Sequence, residues 1–462
     1  MVIDESLLRD LIREGLSRGG SWCDLYFEDT TYFSLLLRDG AVASGGTNED
    51  YGCGIRVLNG EKTGYAYAEN QDRTSLIAAA RAAASIADGP AVEPGNTRRI
   101  PSPPRLYGME KDWRNSLTAG LSGWLERLEA EIRRRESRTC KVTAMLSWSV
   151  SDILMYNSLG ELSSDFRPLG SISVNVTFRR GERIENNHVS TSLRCGEELL
   201  SDSVLNDLAS RAVAGVDNLF EARRPKGGRM SVVMAAGASG ILLHEAMGHA
   251  FEADFNRKGQ SVFSDRMGKR ICGKGINIID DGTIPGNRGA CAFDDEGVRG
   301  QKTYMVSDGV LTSYLHDRIS AAFYGVEPTG NGRRESFRYN PIPRMRATYM
   351  ESGTDGSLAD IIGSVRKGIF VDQFANGEVK IGEGDFTFYV KSGALIENGR
   401  LTMPVKDINI IGNGPQALAD IRAVASDLRI DNSTWTCGKE QSVTVSCGIP
   451  SVLVEGLTVG GE

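Results

Sequence analysis

Several kinds of segment are absent from this chain, and each absence excludes something. No stretch approaches the roughly 20 consecutive apolar residues of a membrane-spanning helix, so no membrane partner is expected. No basic block interrupts a formal net charge of −7, which leaves no electrostatic footprint for nucleic acid. The eight cysteines are scattered without a Cys-x-x-Cys pair, and Asp4 and Glu5 bring charge in before any apolar signal core could form. Reduced thiols in a cytoplasmic protein are the expectation. Coiled-coil heptads and low-complexity tracts are missing too. Histidine is scarce, with four residues in 462, so the places where they cluster carry weight.

Glycine, by contrast, is abundant at 54 residues, which favours tight turns and antiparallel sheet. The length suits two or three domains. Residues 1–225 read as an α+β region. It opens with an amphipathic helix marked by Leu7, Leu8, Leu11 and Ile12, and strands follow at 23–28, 32–38, 54–58 and 64–68. An alanine-rich helix over 74–87 completes that unit. Pro90, Pro94, Pro101, Pro103 and Pro104 mark a sub-boundary at 90–110. A long helix over 117–132, strands at 141–156 and 161–180, and a helix over 201–220 come next. After Arg223-Arg224-Pro225 the pattern changes: residues 228–462 read as mostly β, with turns at Asp281-Gly282, Asp308-Gly309, Asn376-Gly377 and Asn398-Gly399.

One helix stands apart in that second region. Met230 to Met234 read as a buried strand, Gly237 to Gly240 as a turn with Ser239 as N-cap, and Ile241-Leu-Leu-His244-Glu245-Ala-Met-Gly248-His249 as a helix. A histidine followed by glutamate, with a second histidine close behind, is zinc-hydrolase chemistry. Imidazoles bind the ion, and the glutamate takes a proton from its water. The histidines are five apart, however, where the common motif has four. On a regular helix they would diverge by about 140°. The spacing therefore predicts a π-type turn between them, whose i→i+5 bond stacks those positions, with Gly248 permitting the distortion. A third ligand is needed. Glu252, Asp254, His188, His316 and the cysteines are all open to that role. Glu252 and Asp254 read more simply as the solvated end of the helix.

His244 to Gly259 resembles the core of the TldD/PmbA family of metallopeptidases, in its TldD-like, metal-binding branch. Other stretches extend the likeness over essentially the whole chain: Asp294-Asp-Glu-Gly297, Pro328 to Ser336, Leu428 to Asn432, Cys437-Gly-Lys-Glu-Gln441 and Leu457 to Gly461. The resemblance implies that His244, His249 and Cys437 bind Zn2+, with Glu245 catalytic and Cys447 structural. It implies an α+β fold whose second half is a strongly curved, mostly antiparallel β-sheet domain. It also implies an extended or unfolded peptide substrate, and a dimer formed either with a PmbA-type chain or with itself. Arg333, Arg334, Gly330 and Gly332 are candidates for holding substrate backbone, and Lys439 reads as an exposed lysine. Two rivals remain: a non-catalytic peptide-binding or modulator protein, for which Glu245 has no use, and a cysteine hydrolase using Cys437.

Overall fold

The computed structural model describes residues 3–103 and 106–461. Helix α1 (Glu5–Gly15) is capped by the Asp4 carboxylate, which accepts from the Ser6 N–H, and it buries Leu8, Leu11 and Ile12. Two long strands follow, β1 (Trp22–Arg38) and β2 (Ala41–Asn59). Their turn has Asp39 at φ 47° and Gly40 at φ 77°, the left-handed pair that a two-residue hairpin requires. β3 (Lys62–Ala68) and α2 (Arg73–Ala84) complete this unit. After α3 (Thr118–Arg135) come β4 (Thr139–Asn157), β5 (Glu161–Arg180) and β6 (Arg183–Leu193). The sheet runs β3-β2-β1-β4-β5, with β6 along the far side of β5.

This architecture is α+β, as expected, but three details differ from the sequence reading. β1 is one strand rather than two, because residues 29–31 stay paired with both β2 and β4, and Thr30, polar in sequence, is buried against Glu28 and Ser151 instead of lying in a turn. Residues 41–50 of β2 carry no hydrophobic pattern because they are almost wholly exposed; pairing with β1 alone keeps them extended. The helix expected over 201–220 breaks into α4 (Asp202–Val213) and α5 (Val216–Glu221) at Gly215, which sits at φ 66°.

Alternation along β1 sorts its two faces. Cys23, Leu25 and Phe27 pack under α1 and α2, and Leu35 and Leu37 pack under α3 and α4. Asp24, Tyr26 and Glu28 point the other way, into the second half of the chain.

That half begins with β7 (Gly228–Met234) and the motif helix, whose first α-helical turn is α6 (Gly240–Leu243). A short α7 (Ala253–Arg257) follows the motif. A mixed sheet contains β8 (Ile278–Asp281) and β9 (Ala347–Met350). Next come β10 (Lys367–Lys380), β11 (Asp385–Glu397), β12 (Arg400–Val405) and β13 (Ile408–Asn413). Asn376 and Gly377 lie inside β10, paired with Tyr389 and Phe388, and form no turn. At Asn398 and Gly399 the turn is present, with φ 51° and 76°. The chain ends with β14 (Arg429–Asp431), the hairpin β15 (Thr436–Lys439) and β16 (Gln441–Thr444), then β17 (Ser446–Ile449) and β18 (Val452–Val459). β10 pairs β7, β7 pairs β18, β18 pairs β13, β13 pairs β11, and β11 returns to β10. Those pairings close a five-stranded ring. β17 lies parallel to β9 and antiparallel to β14, which brings the last strands under the motif helix.

Candidate metal centre

The strand β7 ends in the Gly/Ser turn, and the helix that leaves it is short and compound. α6 gives way at His244 to a π turn over His244–Gly248, closed by the His249 N–H donating to the His244 carbonyl. A 3-10 turn, His249–Phe251, follows. The i→i+5 bond is the distortion the histidine spacing requires. Its expected agents are different, though. Gly248 has ordinary helical angles, φ −58° and ψ −48°, so conformational freedom is not its role. A Cβ there would meet the Met345 Sδ at 2.1 Å; Gly248 is small because Met345 packs against it. Ser239 occupies the N-cap position without capping, since its buried hydroxyl has no partner.

The π turn brings the rings of His244 and His249 to 5.2 Å between centroids, at 80° to each other. From the other side the β15–β16 hairpin delivers Cys437, whose Sγ lies 3.2 Å from His249 Nε2. One ligand atom from each of His244, His249 and Cys437 falls within 4.8 Å of the others, and all three residues are buried. Among the described residues no other such group of potential metal ligands occurs. His188 instead bonds its cross-strand neighbour Asn175 through Nδ1, and His316 is buried elsewhere, where burial draws it down to about 4.

A cation fits this set on the chain's own evidence of unfilled valence. Both ring nitrogens of His244 are buried and bond no protein atom, a costly state for a polar ring unless something else fills it. Burial pushes the Cys437 thiol up, yet the His244 and His249 imidazoles outweigh burial and bring it to about 4, a thiolate at neutral pH. Thiolate and two imidazoles are a zinc-type donor set.

Behind these donors stands a second layer that sequence reasoning assigned wrongly. Glu252 is fully buried, neither solvated nor free to bind a metal: its Oε2 accepts from His249 Nδ1 at 2.9 Å. That bond turns the His249 Nε2 lone pair toward Cys437 and the common point. Lys439 is buried as well. Its ammonium lies 3.0 Å from Glu252 Oε2 and 2.8 Å from Asp254 Oδ1. Burial raises Glu252, but Lys439 and His249 outweigh it and hold the carboxylate at about 2. Cys437 and Lys439 are two apart on one strand and so share a face. One meets His249 and the other meets the glutamate that orients His249. The i, i+3 spacing of His249 and Glu252 was the available signal.

Arg344, which carries no signal in the sequence, donates to the Cys437 carbonyl at 2.6 Å and to the Gln441 carbonyl at 2.7 Å, clamping the hairpin. The four residues proposed for substrate backbone are otherwise occupied. Arg333 donates to the carbonyls of Met345 and Thr444, and Arg334 is fully buried over the Tyr26 ring, 4.3 Å from its centroid. Gly330 and Gly332 give room to the Arg299 carbonyl and the Glu296 carboxylate. Of the four, Arg334 reaches across to the first half, and the other three pack within the second. Glu245, alone in the cluster, keeps a quarter of its side chain exposed, with Oε2 3.8 Å from His249 Nε2.

Residues 227–461 match the family model described as PmbA/TldA metallopeptidase C-terminal domain, and residues 23–87 match the PmbA/TldA metallopeptidase domain 1. The first match contains the three donors and Glu245. A Haemophilus influenzae metalloprotease TldD homolog is 36% identical over 456 residues, covering 96% of this chain and 94% of its own length. The chain belongs to the PmbA/TldD family of metallopeptidases. A zinc metalloprotease TldD homolog of Saccharolobus solfataricus is 34% identical over 262 residues, 56% of this chain and 57% of its own. Among solved structures, a Bacteroides thetaiotaomicron protein described as a modulator of DNA gyrase superposes with a TM-score of 0.77 at 21% identity, covering 100% of both chains. That likeness is one of fold. No described helix is long and apolar enough to cross a membrane.

Proposed function

We propose that this chain is a zinc-dependent peptidase acting on extended or unfolded peptides. The observation that carries the reading is the convergence of His244, His249 and Cys437 within 4.8 Å, with both His244 ring nitrogens left without a protein partner. Bound there, zinc would polarise a peptide carbonyl and make a water acidic near neutral pH. Glu245, which reaches solvent, would take that water's proton and then return it to the leaving amine. Glu252, through His249 Nδ1, keeps the imidazole in the tautomer that presents Nε2, and Lys439 keeps Glu252 ionised.

The same thiolate and imidazoles would suit a cysteine hydrolase, but Cys437 is only 3% exposed whereas Glu245 reaches solvent, which favours activation of water. Assembly with a second family chain, or with another copy, is also proposed. It is supported by the open edge of β2 over residues 41–50, which pairs only with β1.

The test joins metal content to turnover. Wild type is expected to carry about one zinc per chain. Glu245→Gln should keep the zinc and lose about 10²–10⁴-fold in peptide hydrolysis. Cys437→Ala should lose zinc and activity together, while Cys447→Ala, altering a buried core thiol, should keep its zinc. Full zinc in Cys437→Ala, or hydrolysis by metal-free protein, would remove the reading.

A further inference from the structure

A cavity of about 590 Å³ lies between the two halves of the chain, beside the metal centre. Its walls come from β6 (His188, Ser190), from β10 (Phe374) and from the segment 431–435, with Lys391 of β11 reaching in from one side. Trp435 forms one wall and packs on Cys437, at most about 7 Å of chain before it. Ala238, at the opening of the motif helix, forms another. Asp431 lines the cavity and pairs across strands with Cys447, whose thiol is raised by burial and by the nearby Asp431 and Glu245 carboxylates. Through Trp435 the cavity adjoins the third donor.

Lys391 sets its chemistry. The ammonium is half-buried and donates to Asn187 Oδ1 at 2.6 Å and to the His188 carbonyl at 3.3 Å, both neutral acceptors. Among the described residues it has no carboxylate partner in an ion pair. Two further cavities, about 270 and 370 Å³, are also lined by it. The acids nearby have other partners: Asp431 accepts from the Trp435 indole and Asp372 from the Ser392 hydroxyl. Burial lowers Lys391 to about 8, with Asp372 opposing. An ammonium kept charged at such a cost, at the junction of three cavities, is a place for an anion.

We propose that this cavity is a substrate subsite that selects a peptide carboxylate, held by Lys391 between the Trp435 and Phe374 rings. The proposal rests on the peptidase reading and adds to it a preference in a chain otherwise read through its backbone. The carboxylate is either an acidic side chain or the peptide's own carboxyl terminus.

The test uses full-length, zinc-loaded protein and peptides that carry glutamate, glutamine or lysine at one position, each made with a free or an amidated carboxyl terminus. Mass spectrometry gives cleavage sites and relative kcat/KM. Wild type should favour the carboxylate by about tenfold or more. Lys391→Met should erase that ratio, Lys391→Arg should retain it, and Lys391→Glu should turn it toward lysine at the same position. A merely structural role for Lys391 would not invert a ratio. Loss of the preference on amidation identifies the carboxyl terminus as the ligand, and its persistence identifies a side chain. The same ratio in wild type and all three variants, with zinc and thermal midpoint intact, overturns the subsite while leaving the peptidase standing. Should zinc-loaded wild type cleave none of the peptides, the peptidase reading falls, and calorimetric binding of the same peptides decides the pocket. Carboxylate-dependent binding lost in Lys391→Glu keeps it, and equal binding by all variants removes it.

Discussion

Glu252 shows how one buried carboxylate can govern a site it does not join. It contacts His249 Nδ1 at 2.9 Å and Lys439 at 3.0 Å, and a 3.9 Å approach by Arg344 completes its surroundings. A carboxylate so placed fixes the ring's tautomer and raises its basicity as a ligand. Glu252→Gln keeps the volume and removes the charge, so Lys439 keeps Asp254 as its anionic partner and meets an amide beside His249. The expected result is a zinc affinity weaker by about 10–100-fold, read by competition with a chelator of known strength. Affinity unchanged in Glu252→Gln would mean that the carboxylate's charge is dispensable, an amide oxygen accepting from His249 Nδ1 in its place.

At the scale of the element, the π turn is the part of the site most legible in the sequence, because two ligands five apart on one helix admit few geometries. What the sequence did not disclose was how the turn is held. Gly248 was read through its own flexibility, yet its angles are ordinary and its smallness answers to Met345, almost a hundred positions away. Lys439 and Glu252 were read as solvated because charge in sequence usually means solvent; each is buried because the other is. The substitution Gly248→Ala tests this account. A methyl placed 2.1 Å from Met345 Sδ must displace the side chain or the turn. The expected cost is about 1–3 kcal/mol, with zinc lost as the turn shifts. Met345→Ala should restore much of both in the double variant. A helix-flexibility role predicts instead that trimming Met345 restores nothing. Thermal unfolding and zinc content of the two single variants and the double variant separate the accounts.

Across the whole molecule, the two halves meet through buried charge rather than through a broad apolar face. Arg56 bonds Asp24 at 2.6 Å within the first half and Glu296 at 2.7 Å across the junction, and Arg167 reaches Asp295 at 2.6 Å. Phe293 and Phe337 insert beside Tyr26, Ile153 and Met155. Such a junction commits charged side chains that sequence alone assigns to the surface, which is why the contact across it was not legible in the sequence. Glu28 is the member without a cation in its hydrogen bonds: its carboxylate accepts from the Phe337 N–H at 2.8 Å and from the Thr30 hydroxyl at 3.1 Å. Burial raises it from 4.5 to about 7, against the pull of those two donors. The folded chain thus holds a proton between those two values that the unfolded chain gives up, and stability falls as pH rises through that window. Asp295 titrates elsewhere, since burial raises it but Arg167, Arg346 and Arg334 outweigh burial and hold it at about 2. Glu28→Gln keeps an acceptor for Phe337 and removes the ionisation. It should stabilise the protein at pH 8 by on the order of 1–3 kcal/mol and change little at pH 5, where Glu28 is already neutral in the fold. Calorimetric scans at the two pH values read the difference, with zinc present throughout so that the metal centre stays constant. A loss of stability equal at both pH values would show that the glutamate is needed for its shape, and that its charge is solvated when it forms.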